Sequence, residues 1–335
     1  MPDEPGRKPD DPGRKPDDPG RKPDEPDKGS TDREPPVGGT TDGSAAGGRS
    51  VPDRHHERLS EQFSDDGTRA DIWHGFRRLL PTAEYLNLGY SGRFQSHLVG
   101  SPQRRLVDQV GDALEARLAH TDGVPLLDVG CGRGGPALHL HRRLGVDATG
   151  IDLVPYNVAV ARRNARTAGA PPSFVVGDAS RAPFADGAFG ACTAIDAIVY
   201  VPHKGAVFAE IERVLRPGGW LIATDLLRRD GPESPAVDAF ADAWDMAPLW
   251  TLEEYRRALE DVGLTVESVR ELGPNSIDTF RRWTTLYLGL AGRLGPLVRR
   301  LLARWGLDFE RVTGQVQAAH EALPRLRHVM VCASR

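Results

Sequence analysis

Residues 126–135 read LLDVGCGRGG: an apolar run, an aspartate at 128, then Gly130, Gly132 and Gly135 leading into a helical pattern. Glycines so spaced permit a tight strand-to-helix turn along which a ligand can approach the backbone closely. With Asp152 lying 22 residues beyond Gly130, the naive reading is a dinucleotide fingerprint. Asp128 argues against it. A carboxylate two residues before the first glycine repels a pyrophosphate but suits a cationic ligand.

Outward from this turn, strands alternate with helices. Strands are expected at 125–129, 147–151, 173–176, 190–195 and 220–225, with helices at 134–144, 154–168 and 204–215. Such alternation predicts a Rossmann-like, doubly wound α/β fold, a mostly parallel seven-stranded sheet with helices on both faces. Two amphipathic patterns, 72–80 and 102–118, predict an N-terminal helical layer. Beyond the sheet's first half come a helix at 252–262, a strand at 264–271, a helical insertion over 278–323 and a closing strand at 328–332, which is expected at the sheet edge. The predicted organisation is a tail over 1–52 and one domain over 53–335. That domain comprises the helical layer (53–120), a ligand-binding core (121–272), a lid insertion (273–324) and the final strand (325–335).

The tail carries a seven-residue repeat, D-(D/E)-P-G-R-K-P, starting at Asp3, Asp10 and Asp17, and only four apolar residues among its first fifty. Burial there cannot offset an ordering cost of about 1–2 kcal/mol per residue, so disorder is expected. The whole chain has a formal charge of −4, and no basic stripe marks a nucleic-acid partner. Three cysteines without paired spacing, and no apolar run as long as a signal or membrane segment, predict a cytoplasmic protein without a structural metal.

Four segments in order carry a family resemblance: LLDVGCGRGG at 126–135, GID at 150–152, GDA at 177–179 followed by PFADGAF at 183–189, and RVLRPGG at 213–219. Together they resemble the class I S-adenosylmethionine-dependent methyltransferases, closest to the natural-product tailoring and quinone or sterol enzymes. The resemblance implies S-adenosyl-L-methionine as cofactor, whose ammonium and sulfonium account for the acid at 128. It places Asp128, Gly130, Cys131, Gly132 and Gly134 at the glycine-rich turn, and Asp152 with Leu153 at the ribose. Gly177, Asp178 and Ala179 fall at the adenine. Tyr90, in LNLGY at 86–90, matches an aromatic residue that folds over the cofactor's methionine portion, although Ser91 stands where many relatives have Trp.

Ligands of such sheets lie beyond the strand C-termini, so the transferable methyl should face residues 196–203 and 225–227, with Asp196 joining the cofactor set. Relatives commonly carry a His after strand four and an Asp ending strand five. Here Asp225 is present, but the paired positions after strand four read Val199-Tyr200. Three routes to acceptor activation stay open: Asp225 as sole base, Tyr200 orienting the acceptor, or His203 reaching in from the next turn. The aromatic-rich insertion suits an apolar small-molecule acceptor. Its Arg299, Arg300 and Arg304 are expected on a solvated helix face rather than on a membrane. The expected activity is O-methylation in secondary metabolism, with C- and N-methylation open. The alternative is a cofactor-binding protein on the same fold that transfers no methyl. Acceptor identity and homo-oligomer formation are not legible.

Overall fold

The computed structural model describes residues 51–64, 84–92, 101–169 and 172–335. The repeat-bearing tail and the 72–80 helix expected from sequence lie outside the described residues.

In chain order the elements are α1 (Val51–Phe63), α2 (Pro102–Glu115), β1 (Pro125–Val129), α3 (Gly135–Leu144), β2 (Asp147–Asp152), α4 (Pro155–Ala168), β3 (Ser173–Val176) and β4 (Phe189–Ile195). Then follow α5 (Lys204–Val214), β5 (Leu215–Arg228), α6 (Pro235–Ala243), α7 (Leu252–Asp261), β6 (Thr265–Glu271), α8 (Ile277–Arg304), α9 (Phe309–Ala322) and β7 (Leu326–Ser334). The seven strands form one sheet in the order β3-β2-β1-β4-β5-β7-β6. Neighbours among β1 to β5 run parallel, and β7 is antiparallel to both β5 and β6.

The closing strand is therefore not at the edge. It slots between β5 and β6, pairing along nine residues with β5 from Leu326–Arg228 to Ser334–Trp220. Its sequence accounts for the position: LRHVMVCAS is buried along nearly its whole length, as a strand covered on both faces must be. TVESVRE of β6 is mostly exposed, and its polar residues suit an edge.

Helices cover both faces. On one, α2 and α3 bury Leu106, Val107, Val110, Leu114, Leu138 and Leu140 against β1 and its neighbours. On the other, α5 and α7 bury Phe208, Ile211, Tyr255 and Leu259, with the Phe208 and Tyr255 rings edge to face at 5.0 Å. A third cluster joins α6, α8 and α9 through Trp244, Phe280, Val312 and Val316. Helix α6 had no counterpart in the sequence reading.

Helix α7 starts at a capping box. Thr251 Oγ1 accepts from the Glu254 amide at 3.2 Å, while Glu254 Oε2 accepts from the Thr251 amide at 2.6 Å. Thr251→Ala should cost about 1 kcal/mol of stability, read as a lower urea midpoint at unchanged slope.

Candidate active site

Because β1, β2, β3 and β4 run parallel, their C-terminal ends meet along one rim of the sheet. A cavity of about 840 Å³ opens there. Its floor is Gly130 and Gly132 of the turn after β1, with Asp152, Leu153 and Val154 after β2. Gly177, Asp178 and Ala179 after β3, and residues 195–198 and 200–203 at and after the end of β4, continue the wall. Leu59 and Phe63 of α1, Leu86 of the loop at 84–92, and Met246, Ala247 and Pro248 close the remaining sides.

The glycine turn is held by backbone. The amides of Gly130 and Cys131 both donate to the Ile151 carbonyl, at 2.9 and 3.1 Å. Gly130 sits at φ +68°, and a Cβ there would lie 2.5 Å from that of Ala197, so conformation and space both demand glycine. Asp152 is nine-tenths buried. Its Oδ2 accepts from the Gly132 amide at 2.8 Å, and Oδ1 accepts from the Val154 amide at 2.9 Å and Asn157 Nδ2 at 3.3 Å. Burial pushes this carboxyl up despite those three donors. A carboxylate offers about four lone-pair sites, so it retains capacity for a ligand hydroxyl. Asn157 Oδ1, also on the cavity wall, is buried with no hydrogen-bond partner. Asp178 Oδ1 accepts from the Ser180 amide and hydroxyl, both at 2.8 Å. Acceptors thus line the wall where a ligand with ribose hydroxyls and an adenine amino group would offer donors, and these residues fit S-adenosylmethionine.

Asp128 lies beneath the turn rather than on the cavity wall. It is 1 % exposed and accepts from Thr193 Oγ1 at 2.9 Å, and burial pushes its carboxyl up to about 7. An acid with a folded pKa above its unfolded one holds its proton more tightly when folded. Stability is then fullest below the ordinary carboxylate range and falls as pH rises toward about 7. Asp128→Asn should flatten that fall, measured as melting temperature across this interval.

After β4 the chain turns sharply at Asp196, which has φ +53°. Its Oδ2 accepts from the Leu88 amide at 2.8 Å. Oδ1 accepts from Thr224 Oγ1 at 2.7 Å and lies 2.9 Å from Nε2 of His328, a fully buried residue of β7. Burial alone would push Asp196 up, but His328, Leu88 and Thr224 outweigh it and hold the carboxyl below its ordinary range. On the far side of the ring, His328 Nδ1 meets Ser276 Oγ at 2.8 Å. Three strands and the 84–92 loop are thus tied to one carboxylate on the cavity wall.

Tyr200 is half-buried on the wall, its ring edge-on to Phe63 at 5.4 Å. His203 is exposed at the rim, immediately before α5. Asp225 is 1 % exposed and does not line the cavity. Its Oδ1 accepts from the amides of Val199 at 3.2 Å and Leu226 at 3.0 Å, which puts the short turn at Ile198–Tyr200 between it and the cavity. Burial pushes Asp225 well up, with Lys204 opposing. Lys204, itself pushed down to about 8 by burial, donates to the carbonyls of Val201 and Pro248 at 3.0 and 3.1 Å and stands over the Trp250 ring.

Of the residues singled out from sequence, Gly130, Gly132, Asp152, Leu153, Gly177, Asp178, Ala179, Asp196, Tyr200 and His203 line one cavity. Asp128, Cys131, Gly134, Tyr90 and Asp225 do not. Cys131 is buried behind the turn, and Gly134 packs against Phe174 and Ala161 at the start of α3. Tyr90 packs on the α2 side of the core, and Leu86 of the same loop reaches the cavity instead. Leu59, Phe63, Asn157 and the 246–248 segment were missed. The spacing of Leu59, Gln62 and Phe63 was a usable helical signal. Nothing local marks 246–248, which is placed by the Ala247 amide donating to the Val199 carbonyl at 3.0 Å.

A methyltransferase domain model matches residues 127–223, from β1 through β5. An O-methyltransferase of Penicillium expansum is 30% identical over 218 residues, 63% of this chain and 76% of that one. A 24-methylenesterol C-methyltransferase of Oryza sativa subsp. japonica is 32% identical over 227 residues, 64% of this chain and 61% of that one. Among solved structures, the geranyl diphosphate C-methyltransferase of Streptomyces coelicolor A3(2), crystallised with geranyl diphosphate and S-adenosyl-L-homocysteine, superposes with a TM-score of 0.60. It is 20% identical, with 84% of this chain and 98% of that one covered. The chain belongs to the class I S-adenosylmethionine-dependent methyltransferases, of the kind that act on small molecules. Among the described residues no helix is long and apolar enough to cross a membrane.

Proposed function

We propose that this chain methylates a hydroxyl of a small, largely apolar acceptor, as a tailoring step of secondary metabolism. The supporting observation is the cavity itself, in which Asp152, Asp178 and Asp196 stand at the strand ends and Leu59, Phe63, Leu86 and Met246 add apolar walls. The cofactor supplies a methyl group on its sulfonium. Asp152 would hold its ribose hydroxyls, Asp178 and Ala179 its adenine, and Asp196 its ammonium, with the backbone of Gly130 and Gly132 alongside. Phe63, Ile198 and Met246 would then shape the acceptor side, with α8 and α9 as a lid behind Met246.

Methyl transfer is an in-line displacement, so holding the acceptor oxygen in line and excluding water does much of the work. Tyr200 would orient that oxygen, and His203 at the rim would take its proton. Asp225 contributes through the 198–200 turn, whose Val199 amide it holds. A phenol needs less help than an aliphatic alcohol, which suits a site in which the buried Asp225 is shielded from the cavity. Transfer to carbon or nitrogen is the competing outcome. The direct test is incubation with methyl-labelled cofactor and a panel of apolar phenols, alcohols and amines, followed by mass mapping of the product. Tight cofactor binding with no labelled product from any acceptor would instead favour a non-methylating role on the same fold.

A further inference from the structure

Helix α8 is only half committed to the core. Ile277, Phe280, Thr284, Ala291 and Leu302 are buried, and Trp283 and Tyr287 stack along the same side toward α9. The other side carries Leu286, Leu290, Leu294, Leu297 and Leu301, at spacings of four, four, three and four. They are 56, 44, 47, 62 and 46% exposed. The helix kinks at Leu294, where φ/ψ leave the helical range, just before Pro296. Leu286 and Leu290 are one turn apart before the kink and Leu297 and Leu301 one turn apart after it, and five large apolar side chains exposed in succession call for a partner. Arg293, Arg300 and Arg304 each follow a leucine of the row by three residues, so every leucine from 290 onward except Leu294 has an arginine beside it.

The helix holds six arginines and a single acid, Asp278. Among the described residues no carboxylate pairs with Arg293, Arg300 or Arg304, whereas Arg299, on another face, pairs with Glu310 at 2.6 Å. A leucine row flanked by unneutralised arginines is complementary to a surface that is apolar within and anionic at its boundary. A second copy of this chain fits less well, because self-pairing of the face sets arginine against arginine.

We propose that the Leu286–Leu301 face of α8 docks on an anionic lipid bilayer, lying in the interface without crossing it. The opposite side of α8 packs through Phe280 on Trp244, two residues from Met246 on the cavity wall. The proposal does not depend on which acceptor is methylated.

The test is flotation of the full 335-residue chain with vesicles of phosphatidylcholine alone or mixed with phosphatidylglycerol, at low and high salt. Binding is expected to the mixed vesicles only, and to weaken with salt. Arg293→Gln, Arg300→Gln and Arg304→Gln together should weaken it about a hundredfold. Leu290→Gln, Leu297→Gln and Leu301→Gln together should abolish it without lowering the melting temperature. No binding to mixed vesicles, or undiminished binding by either triple variant, overturns the proposal. So does a dimer in sedimentation that the leucine substitutions dissociate, which would give the face to a second copy.

Discussion

Asp152→Ala is expected to bind S-adenosylmethionine and S-adenosylhomocysteine about 10- to 150-fold more weakly than the parent, from the loss of a charged acceptor to a ribose hydroxyl. Isothermal titration reads the effect directly. Two consequences follow from its present contacts. Removing the carboxylate also strips the Gly132 and Val154 amides of their acceptor, so the glycine turn itself loosens. Asp152→Asn keeps one acceptor oxygen and the size of the side chain, and should lose less affinity. Undiminished affinity in an Asp152→Ala protein whose unfolding remains cooperative would show that the carboxylate does not hold the cofactor.

The second large effect is on the fold. Asp196→Ala should cost about 3 kcal/mol or more, since each buried donor left without its acceptor costs about 1–3 kcal/mol. His328 Nε2 would face no acceptor, and the Thr224 hydroxyl and Leu88 amide would lose theirs. Asp196→Asn should cost less, because asparagine accepts the left-handed conformation and can offer a donor to an imidazole that switches tautomer. Hydrogen exchange should show the Leu88 amide losing protection in the alanine variant, since that bond ties the 84–92 loop to the sheet. Denaturation midpoints equal to the parent's would mean that the network contributes nothing to stability.

Much of the sheet was legible because it is local. The strands at 125–129 and 173–176 form where their apolar runs and flanking turn residues put them, and the glycine spacing at 130–135 identified the strand-to-helix turn. Backbone dihedrals and apolar period are properties of neighbouring residues, so sequence reports them well. Helix α6 escaped notice because its nine residues follow a loop of mixed polarity and bury only Val237, Phe240 and Ala241.

The candidate site divides along the same line. The motif residues reach the cavity where a strand end carries them there: Gly130 after β1, Asp152 after β2, Asp178 after β3 and Tyr200 after β4. Asp225 ends up away from the cavity because β5 runs on past it to Arg228 while the Ile198–Tyr200 turn crosses in front. No pattern within β5 could reveal that.

By itself, then, the sequence determined the doubly wound sheet, the glycine turn and the family to which the chain belongs. Only the tertiary structure decided that β7 is an interior strand, that His328 meets Asp196 across 132 residues, and that the leucines of α8 face outward. The physical reason is that periodicity states that a face is apolar but not what covers it. The covering partner is chosen by strand order and helix packing, where the contacts join residues far apart in the chain.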